Sequence, residues 1–396
     1  MILKQPWDFA SLNTLAIEEL AGKSGVPDII AKFLYQRGIS TPEAVAQHLS
    51  PALKSLSDPW KMMDMDKAVD RLVKAVAQRE QVAVFGDYDV DGVTSAALVS
   101  GFLERLGLKV TVYIPHREHE GYGLSAEGLR NLASKGCTLL ITVDCGISDS
   151  EEVVLARELE MDVIITDHHE PPDSLPGALA VLDPKRSDCA FAFKELAGVG
   201  VAFNLVRALR HRLYELGHWN TGQVPNLKEY LDFVAMGTVA DVVPLLGDNR
   251  ILVRAGLEVL GGSDRPGIKA LKAVCSLNSG ITSTDIAFRI GPRINAAGRM
   301  AHADKAFRLL VTDDESEAKQ LAEELYLLNR ERQAEEKNIF NEALDKIRSL
   351  EEQSAYVLAS PEWKIGIIGI VASRLVERFH RPVILLALDG DKAHGS

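Results

Sequence analysis

The stretch QVAVFGDYDVDGVTSAALVS, residues 81–100, carries the strongest indication of the fold. Its apolar run, Val82–Phe85, is short and rich in β-branched residues, which is typical of a buried parallel strand. Three similar runs follow, separated by stretches of helical character. The strands are expected at Val110–Ile114, Leu139–Val143 and Val163–Ile165, and the helices at Val93–Leu106, Ser125–Ser134 and Ser148–Leu159. Strands and helices that alternate at this spacing predict an α/β fold with a doubly wound, mainly parallel sheet.

The composition divides the chain into four segments. Residues 1–60 form a helical lead-in, 61–310 hold the main α/β domain, 311–352 form a long connecting helix, and 353–396 begin a second α/β domain. The connecting helix is predicted because this stretch has almost no Gly or Pro and is nearly all polar in its middle, as in a helix that bridges two domains. The last segment has apolar runs at Ala355–Leu358, Ile365–Ile370 and Val383–Leu388 and a helix from Ala372 to Phe379. The chain stops soon after the last run, so we expect this second domain to be incomplete.

The overall composition is that of a soluble globular protein. Of the 396 residues, 46% are hydrophobic and 25% are charged, which excludes disordered, collagen-like and coiled-coil classes. The longest apolar runs are too short to span a bilayer, and the first ten residues lack the apolar core of a signal peptide. We therefore expect a cytoplasmic protein without membrane contact. The four cysteines form no C-x-x-C pair and are expected to be reduced thiols: Cys137, Cys145, Cys189 and Cys275.

The charge distribution favours a specific groove over a general polyanion-binding surface. The net charge is −12, which weakens any nonspecific attraction to nucleic acid. One stretch departs from this balance, because residues 289–308 hold five basic residues against the single acid Asp304. The basic residues of this strip are Arg289, Arg293, Arg299, Lys305 and Arg308.

Acids and histidines follow three of the predicted strands. The first strand is followed by Asp87, Asp89 and Asp91, the third by Asp144, and the fourth by Asp167, His168 and His169. Ligands of open parallel sheets bind at the carboxyl ends of the strands, so we expect these groups to converge. The three alternating aspartates would share one side if their segment stays extended. Carboxylates at such spacing repel one another unless cations lie among them.

Each of these groups also has a purely structural interpretation. The D-x-D-x-D run also occurs in solvated loops, although Leu98 stands where a calcium loop requires Glu. Asp144 could cap the following helix, the histidines could be a capping pair, and Asp241 could cap or turn the apolar stretch GTVADVVP. The occurrence of acids or histidines after three of the predicted strands favours a metal centre. Carboxylates with imidazoles and no thiolate suit Mg²⁺ or, better, Mn²⁺, and two such ions are the usual device for phosphodiester hydrolysis.

Four motifs identify the chain as a member of the DHH phosphoesterase superfamily. They are GDYDVDG (86–92), TVDCG (142–146), TDHH (166–169) and GTVADVVP (237–244). The resemblance implies metal ligation by Asp89, Asp91, Asp144, His168 and Asp241. It also implies that His169 contacts the scissile phosphate or assists proton transfer, with Asp167 orienting it, so that His169 and Asp144 are the catalytic pair. Phe85 stands where many members have a histidine ligand, and Asp87 is the expected replacement.

Further segments resemble one bacterial branch of the superfamily, the single-strand-specific 5′→3′ DNA exonucleases. They are IPHR (114–117), EGYG (120–123), RINAAGR (293–299) and GIVASR (369–374), and the resemblance covers about residues 60–396. It implies a DHH catalytic domain at 61–310 and a truncated DHH-associated domain at 353–396. The implied function is hydrolysis of single-stranded DNA from a 5′ end in repair and recombination, by a monomer whose partners include a single-strand-binding protein and a helicase. The alternatives are a DHH enzyme that acts on short oligonucleotides, cyclic dinucleotides or pyrophosphate, and a non-catalytic relative.

Five residues are candidates for contacts with the DNA strand. Arg293, Asn295 and Arg299 offer donors suited to the phosphate oxygens of a backbone. Arg117 follows a strand end, where it could reach a terminal phosphate, and Tyr122 between two glycines could stack on a base. The alternatives are that the arginines pair with surface acids and that Tyr122 is an ordinary exposed loop residue.

Overall fold

The computed structural model describes residues 13–117, 119–220, 222–278, 280–350 and 353–396. The prediction about a signal peptide concerns the first ten residues and lies outside these ranges. The α-helices are α1 (Thr14–Ser24), α2 (Asp28–Gln36), α3 (Pro42–Leu49), α4 (Met65–Gln78), α5 (Val90–Arg105), α6 (Ala126–Ser134), α7 (Ser150–Glu158), α8 (Gly198–Glu215), α9 (Leu231–Ala240), α10 (Gly247–Gly262), α11 (Pro266–Val274), α12 (Ser283–Asp285), α13 (Gly291–Met300), α14 (Asp304–Val311), α15 (Glu315–Arg348) and α16 (Ile365–Phe379). The strands are β1 (Gln81–Gly86), β2 (Lys109–Tyr113), β3 (Leu139–Val143), β4 (Asp162–Thr166), β5 (Ala180–Leu182), β6 (Tyr356–Ser360), β7 (Val383–Asp389) and β8 (Lys392–Gly395).

The main sheet has five parallel strands in the order β2-β1-β3-β4-β5. Apolar side chains alternate between its two faces and enter two separate cores. The larger core contains residues of α4, α5, α8 and α9, whereas the smaller one contains residues of α6 and α7. Helices therefore cover both faces, which confirms the predicted doubly wound parallel sheet. Because neighbouring strands run in the same direction, their carboxyl ends lie along one edge.

Helix α5 begins earlier than the sequence pattern predicts. Asp89 is its N-cap, and the Asp89 carboxylate accepts hydrogen bonds from the amides of Asp91 at 2.8 Å and Gly92 at 3.1 Å. Such bonds satisfy amides that have no partner within the helix. The helix consequently starts at Val90 rather than Val93. The backbone is extended at Asp89, but Asp91 lies in the first turn of the helix. The condition under which the three carboxylates would share one side, an extended D-x-D-x-D segment, is therefore not met.

The long helix α15 leads to a smaller α/β unit, as predicted. α15 contains 34 residues, and its carboxyl-terminal part packs with α16, β6 and β7 in a common core. The small sheet has the order β6-β7-β8, with β6 and β7 parallel and β8 antiparallel. Helix α16 starts at Ile365 and not at Ala372, because the run Ile365–Ile370 is its buried first part rather than a separate element.

The lead-in helices α1, α2 and α3 have a small core of their own. The four cysteines are free and buried. In the part of the chain that the structure describes, no helix is both long and apolar enough to cross a membrane.

Candidate metal centre

The first group of potential metal ligands lies at the carboxyl ends of β1 and β3. It consists of Asp87, Asp89 and Asp144, each of which has a carboxylate oxygen within 4.8 Å of the other two. The Asp144 amide donates to the Thr166 carbonyl at 3.0 Å, which continues the pairing of β3 with β4 by one residue. The backbone of Asp144 then turns through the left-handed region, with a φ of 62°.

The second group of potential metal ligands comes from three different parts of the fold and lies next to the first group. It consists of Asp91 in the first turn of α5, His168 after β4, and Asp241 at the carboxyl end of α9. The His168 Nε2 atom lies 3.1 Å from Asp144 Oδ1, 3.6 Å from Asp241 Oδ2 and 4.0 Å from Asp91 Oδ2. His169 forms a further group with Asp144 and His168. Asp144 and His168 therefore connect the two groups.

Burial and repulsion between carboxylates dominate the electrostatics of the cluster. Burial and the neighbouring Asp89 carboxylate raise the pKa of Asp87 to about 8, and the same causes raise the pKa of Asp241 to about 7. Burial and other carboxylates raise the pKa of Asp91 and of Asp144 well above the usual range. Burial and the adjacent His169 lower the pKa of His168 to about 4, which keeps its imidazole neutral.

The side-chain atoms of this cluster fit divalent cations. Several are buried and have no hydrogen-bond partner, although buried polar groups are normally paired. The unpaired atoms include Asp87 Oδ1, Asp144 Oδ1, His168 Nε2 and Asp241 Oδ2. Carboxylate oxygens and one or two imidazoles without thiolates are a donor set suited to Mn²⁺ or Mg²⁺.

Asp91 is held by the start of α8. Its two carboxylate oxygens accept hydrogen bonds from the amides of Gly198 at 2.6 Å and Val199 at 2.9 Å. Gly237 of α9 faces the same carboxylate, and a Cβ added there would lie 2.6 Å from Asp91 Oδ1. These supports were not predicted from the sequence. The segment LAGVGVA (196–202) nevertheless contains a signal, because closely spaced glycines at a helix start favour close backbone approach.

His169 is oriented by Asp167. The Asp167 carboxylate lies 2.7 Å from His169 Nδ1 and also accepts the amides of Ile147 at 2.9 Å and His168 at 2.7 Å. Burial is the largest single influence on Asp167 and opposes its ionisation, but the hydrogen bond with His169, the charge of that imidazole and the backbone amides together lower the pKa of the carboxyl. The same hydrogen bond raises the pKa of His169. The Nδ1 atom is therefore held by Asp167, which leaves Nε2 for a substrate or a proton.

Tyr122 contacts the metal-ligand turn through its hydroxyl group. The hydroxyl donates to the Asp144 carbonyl oxygen at 3.1 Å and lies 3.1 Å from His169 Nδ1. The neighbouring Gly121 and Gly123 have φ angles of 84° and 89°, which a side chain would strain. The tyrosine is nonetheless 48% exposed, so one side of it faces solvent above the cluster.

Comparisons with known proteins show the family of this chain. The family model described as "DHH family, N-terminal domain" matches residues 81–238. The chain is also similar to a solved structure described as exonuclease RecJ bound to manganese, with 40% sequence identity and a TM-score of 0.74, over 82% of this chain and 80% of that one. The chain belongs to the RecJ family. The DHH superfamily assignment from the motifs is thereby confirmed.

Two other RecJ proteins extend the comparison. The single-stranded-DNA-specific exonuclease RecJ of Bacillus subtilis is 39% identical over 391 residues, which are 98% of this chain and 48% of the relative. The RecJ structure from Thermus thermophilus in complex with Mn²⁺ is 35% identical with a TM-score of 0.81, over 96% of this chain and 53% of that one. The chain thus spans about half the length of these two relatives.

In this RecJ-family chain, a basic site adjoins the aspartates. The Arg117 guanidinium lies 4.9 Å from the centroid of the Tyr88 ring, and Arg299 donates to the Gly366 carbonyl at 3.0 Å. Burial, together with the nearby Arg117 and Arg332, lowers the pKa of Arg299 to about 10. Arg117 lies near Asp87 and Arg299 lies near Asp89, so an anion that reaches the carboxylate cluster would meet positive charge beside it.

The other residues of the basic strip have different contacts. Arg289, Lys305 and Arg308 pair with acids, and their partners are Asp285, Glu324 and Glu317. Arg293 donates to the carbonyls of Arg289 and Val274 and lies over the Tyr326 ring, beside a cavity of about 370 Å³. Asn295 accepts the Val90 amide at 3.1 Å and so supports the start of α5.

Proposed function

We propose that this chain carries the catalytic centre of a metal-dependent exonuclease that hydrolyses single-stranded DNA in the 5′→3′ direction, in DNA repair and recombination. One observation carries the proposal: the two connected carboxylate–imidazole groups lie in a chain that belongs to the RecJ family. The intact acids at positions 89, 91, 144 and 241 argue against a non-catalytic relative.

We assign the metal sites to the two groups described above. Asp87, Asp89 and Asp144 would hold one Mn²⁺ or Mg²⁺ ion, and Asp91, His168 and Asp241 a second, with Asp144 and His168 lying between them. The ions would activate water as the nucleophile and neutralise the charge that develops on the phosphate. Phe85 stands at the position where many superfamily members have a histidine ligand, and its ring is buried and stacks on Tyr113. We therefore assign the place of that ligand to Asp87.

The protein itself positions the phosphate and handles the proton. Asp167 holds His169 through Nδ1, so that His169 Nε2 can donate a hydrogen bond to a phosphate oxygen or give a proton to the leaving oxygen. Arg117 and Arg299 would bind phosphate oxygens beside the carboxylates. Tyr122 would place its exposed ring edge against the terminal nucleotide, while Asn295 supports the aspartate loop.

Arg293 would meet the strand at a second place. It adjoins a cavity whose lining includes Arg289 and Tyr326. A guanidinium next to an aromatic ring is suited to a backbone phosphate and a stacked base. We therefore assign the metal centre to the 5′ end of the strand and this cavity to nucleotides farther along it.

The decisive experiment uses strands labelled at one end and measures the products in Mn²⁺, in Mg²⁺ and in a chelator. A 5′-labelled single strand should release labelled mononucleotide at once, whereas a 3′-labelled strand should shorten stepwise. Duplex DNA of the same sequence should resist. Release of label from the 3′ end first would contradict the proposed polarity.

The same assay separates the alternatives. Faster hydrolysis of dinucleotides, cyclic dinucleotides or pyrophosphate than of a long single strand would favour another DHH phosphoesterase activity. Metal binding without hydrolysis of any of these compounds would favour a non-catalytic role.

The remaining assignments are part of the same proposal. We infer a monomer in the cytoplasm with single-strand-binding protein and a helicase as partners, and a division into segments 1–60, 61–310, 311–352 and 353–396. The separate cores of α1–α3 and of the small sheet support the division. Light scattering tests the monomer, purified candidate partners test the associations, and limited proteolysis tests the boundaries.

A further inference from the structure

A cavity of about 560 Å³ lies where the lead-in helices meet the main α/β domain. Its lining comes from the ends of α2 and α3 and from the segment that leads into the first turn of α10. The described residues around it are Leu34, Arg37, His48, residues 244–246 and Arg250. This volume lies within the range of small-molecule sites. None of these residues belongs to the carboxylate cluster, so the cavity is separate from the candidate metal centre.

The polar part of this lining is basic. Arg250 Nε donates to the His48 carbonyl at 2.6 Å, which holds α10 against the end of α3. Arg37 donates through Nη1 to the Phe33 carbonyl at 3.1 Å. Burial, followed by the charges of Arg250 and Arg37, lowers the pKa of His48. Both guanidinium groups therefore act on the same imidazole at the wall of the cavity.

The positive charge of the two arginines has no nearby compensation. In the part of the chain that the structure describes, the polar contacts of Arg37 and Arg250 are to backbone carbonyls and not to acids. The described lining of the cavity also contains no Asp or Glu. This is unusual in a chain whose net charge is −12. An anion in the cavity would supply the charge that is missing there.

The rest of the lining is apolar. Leu34 is buried in the core of the lead-in helices, and Leu246 packs against the same core. Pro244 and Leu245 continue this surface towards the main domain. An apolar wall beside two guanidinium groups suits a ligand that has an anionic end and an apolar or flat end.

We propose that this cavity binds a small phosphate-bearing anion through Arg37 and Arg250, with its organic part against the leucines. The planar fork of a guanidinium group matches the geometry of phosphate oxygens, and each such hydrogen bond is strengthened by charge. Two sources share this chemistry, a nucleoside monophosphate and free inorganic phosphate. The site does not depend on the proposed function, because none of its residues is assigned to the metal centre or to the DNA strand.

A neighbouring cavity provides the matched control. Arg250 also lines this second cavity, of about 890 Å³, together with Arg254. Here the lining includes an acid, Glu258, and Arg254 pairs with it at 3.5 Å. Arg254 lies one helical turn after Arg250 and does not line the first cavity. Arg254→Gln therefore removes an arginine of the same helix and leaves the proposed site intact.

The test is calorimetric titration in the presence of a chelator, which removes the ions through which the metal centre would hold a phosphate. The wild-type chain, Arg37→Gln, Arg250→Gln and Arg254→Gln are each titrated with inorganic phosphate, deoxyadenosine 5′-monophosphate and deoxyadenosine. We expect Arg37→Gln and Arg250→Gln each to weaken phosphate and nucleotide binding about tenfold, and Arg254→Gln to leave it unchanged. Deoxyadenosine should bind far more weakly than its monophosphate.

The same titrations identify the source of the phosphate. Tighter binding of the nucleotide than of inorganic phosphate would identify a nucleoside monophosphate as the ligand, and equal affinities would identify free phosphate. Equal affinities of all four proteins for both compounds would overturn the site. A longer single strand that loses more affinity than the nucleotide in Arg37→Gln would also overturn it, in favour of a strand-binding surface. Arg37 is exposed, so Arg37→Gln tests the site without loss of the contact that Arg250 makes with α3.

Hydrogen exchange then locates the ligand on the chain. The nucleotide should slow exchange of the amides in α2, in α3 and in residues 244–250 of the wild type, but not of Arg37→Gln. Protection confined to the loops after β1, β3 and β4 would place the ligand at the carboxylate cluster and overturn the proposal. A chain that shows the expected protection but hydrolyses no DNA would retain this site and refute the proposed function.

Discussion

Asp144 has a backbone conformation that few residues other than glycine, asparagine and aspartate tolerate, with a φ of 62°. Its carboxylate shares the space between β1, β3 and α8 with Asp87, Asp89 and His168. Asp144 thus combines a left-handed backbone conformation with a side chain that lies among carboxylates that repel one another. At the scale of single residues, a substitution of Asp144 therefore tests the metal centre most directly.

We expect Asp144→Asn to lower hydrolysis by at least about 10²–10³-fold, because an amide is a poor ligand for a divalent ion. Asparagine tolerates the left-handed region, whereas Asp144→Ala adds backbone strain of about 1 kcal/mol. In metal-free buffer the apparent melting temperature of Asp144→Asn should rise, because the substitution removes the free-energy cost of an acid whose pKa is raised in the folded state. Near-normal turnover in the folded variant would contradict the assignment of Asp144 to the metal centre.

Tyr122→Phe separates two roles of the tyrosine. The ring remains available to a nucleotide, but the hydrogen bond to the Asp144 carbonyl is lost. We expect kcat to fall about tenfold, the equivalent of about 1.4 kcal/mol, with KM for the strand little changed. The measurement is steady-state kinetics on a single strand, with Tyr122→Ala as the companion. An unaffected kcat in Tyr122→Phe together with a raised KM in Tyr122→Ala would indicate stacking alone.

Asp183, which follows β5, provides a prediction about pH. Burial raises its pKa from 3.8 to about 7, and its Oδ2 atom has no hydrogen-bond partner. An acid with a raised pKa in the folded state costs stability as the pH rises from the unfolded pKa to the folded one, up to about 4 kcal/mol here. Asp183→Asn should therefore stabilise the protein at pH 8 but hardly at pH 4.

The measurement is the free energy of unfolding of both proteins across this range. Asp173→Asn, at an exposed position, is the control and should leave the curve unchanged. A stability difference that does not depend on pH would show that removal of the charge is not the cause.

At the scale of elements, helix α13 separates two arginines that the sequence places six residues apart. Arg299 turns towards Gly366 and Arg117, while Arg293 turns towards Val274 and Tyr326. A helix directs residues six apart to different sides. One basic stretch of sequence therefore contributes to two different places on the surface.

We expect Arg299→Ala to weaken binding of short and long single strands alike, whereas Arg293→Ala should weaken only those long enough to reach its cavity. Each substitution removes one of the proposed phosphate contacts and should lower the slope of log affinity against log salt by about one. Fluorescence anisotropy over a series of oligonucleotide lengths and salt concentrations tests this. Arg308→Ala, whose partner is Glu317, is the control and should change neither value. A base-specific loss with an unchanged slope would refute both contacts.

At the scale of the whole molecule, the net charge of −12 and the buried acids both predict that divalent cations stabilise the fold. An ion that binds the folded state alone stabilises it by about 2.7 kcal/mol at a hundred times its dissociation constant. We expect Mn²⁺ to raise the apparent melting temperature by several degrees and a chelator to reverse the change.

The matched variant for this experiment is Asp241→Asn, because Asp241 is partly exposed and its Oδ2 has no partner. The shift with Mn²⁺ should be smaller in this variant than in the wild type. An equal shift in both proteins would place the stabilising ion outside the second group of ligands.

The alternation of β-branched runs with helical stretches was sufficient to predict the parallel sheet, because strand and helix periods are local properties of the chain. The rule that parallel strands end at one edge of a sheet then predicts that Asp87, Asp144 and His168 lie close together. The start of helix α5 directly after its N-cap, Asp89, was not predicted, because a helix cap depends on one side chain and not on the periodicity of apolar residues.

Contacts between distant residues were decided by the tertiary structure alone. Asn295 accepts the amide of Val90 from 205 positions away, Gly198 and Val199 hold Asp91, and His302 joins His116. No periodicity in the sequence encodes such pairs, because they depend on how helices pack after the sheet has formed. The sequence by itself thus determined the kind of chemistry and the edge where it occurs, and the packing of α8, α9 and α13 decided which atoms meet there.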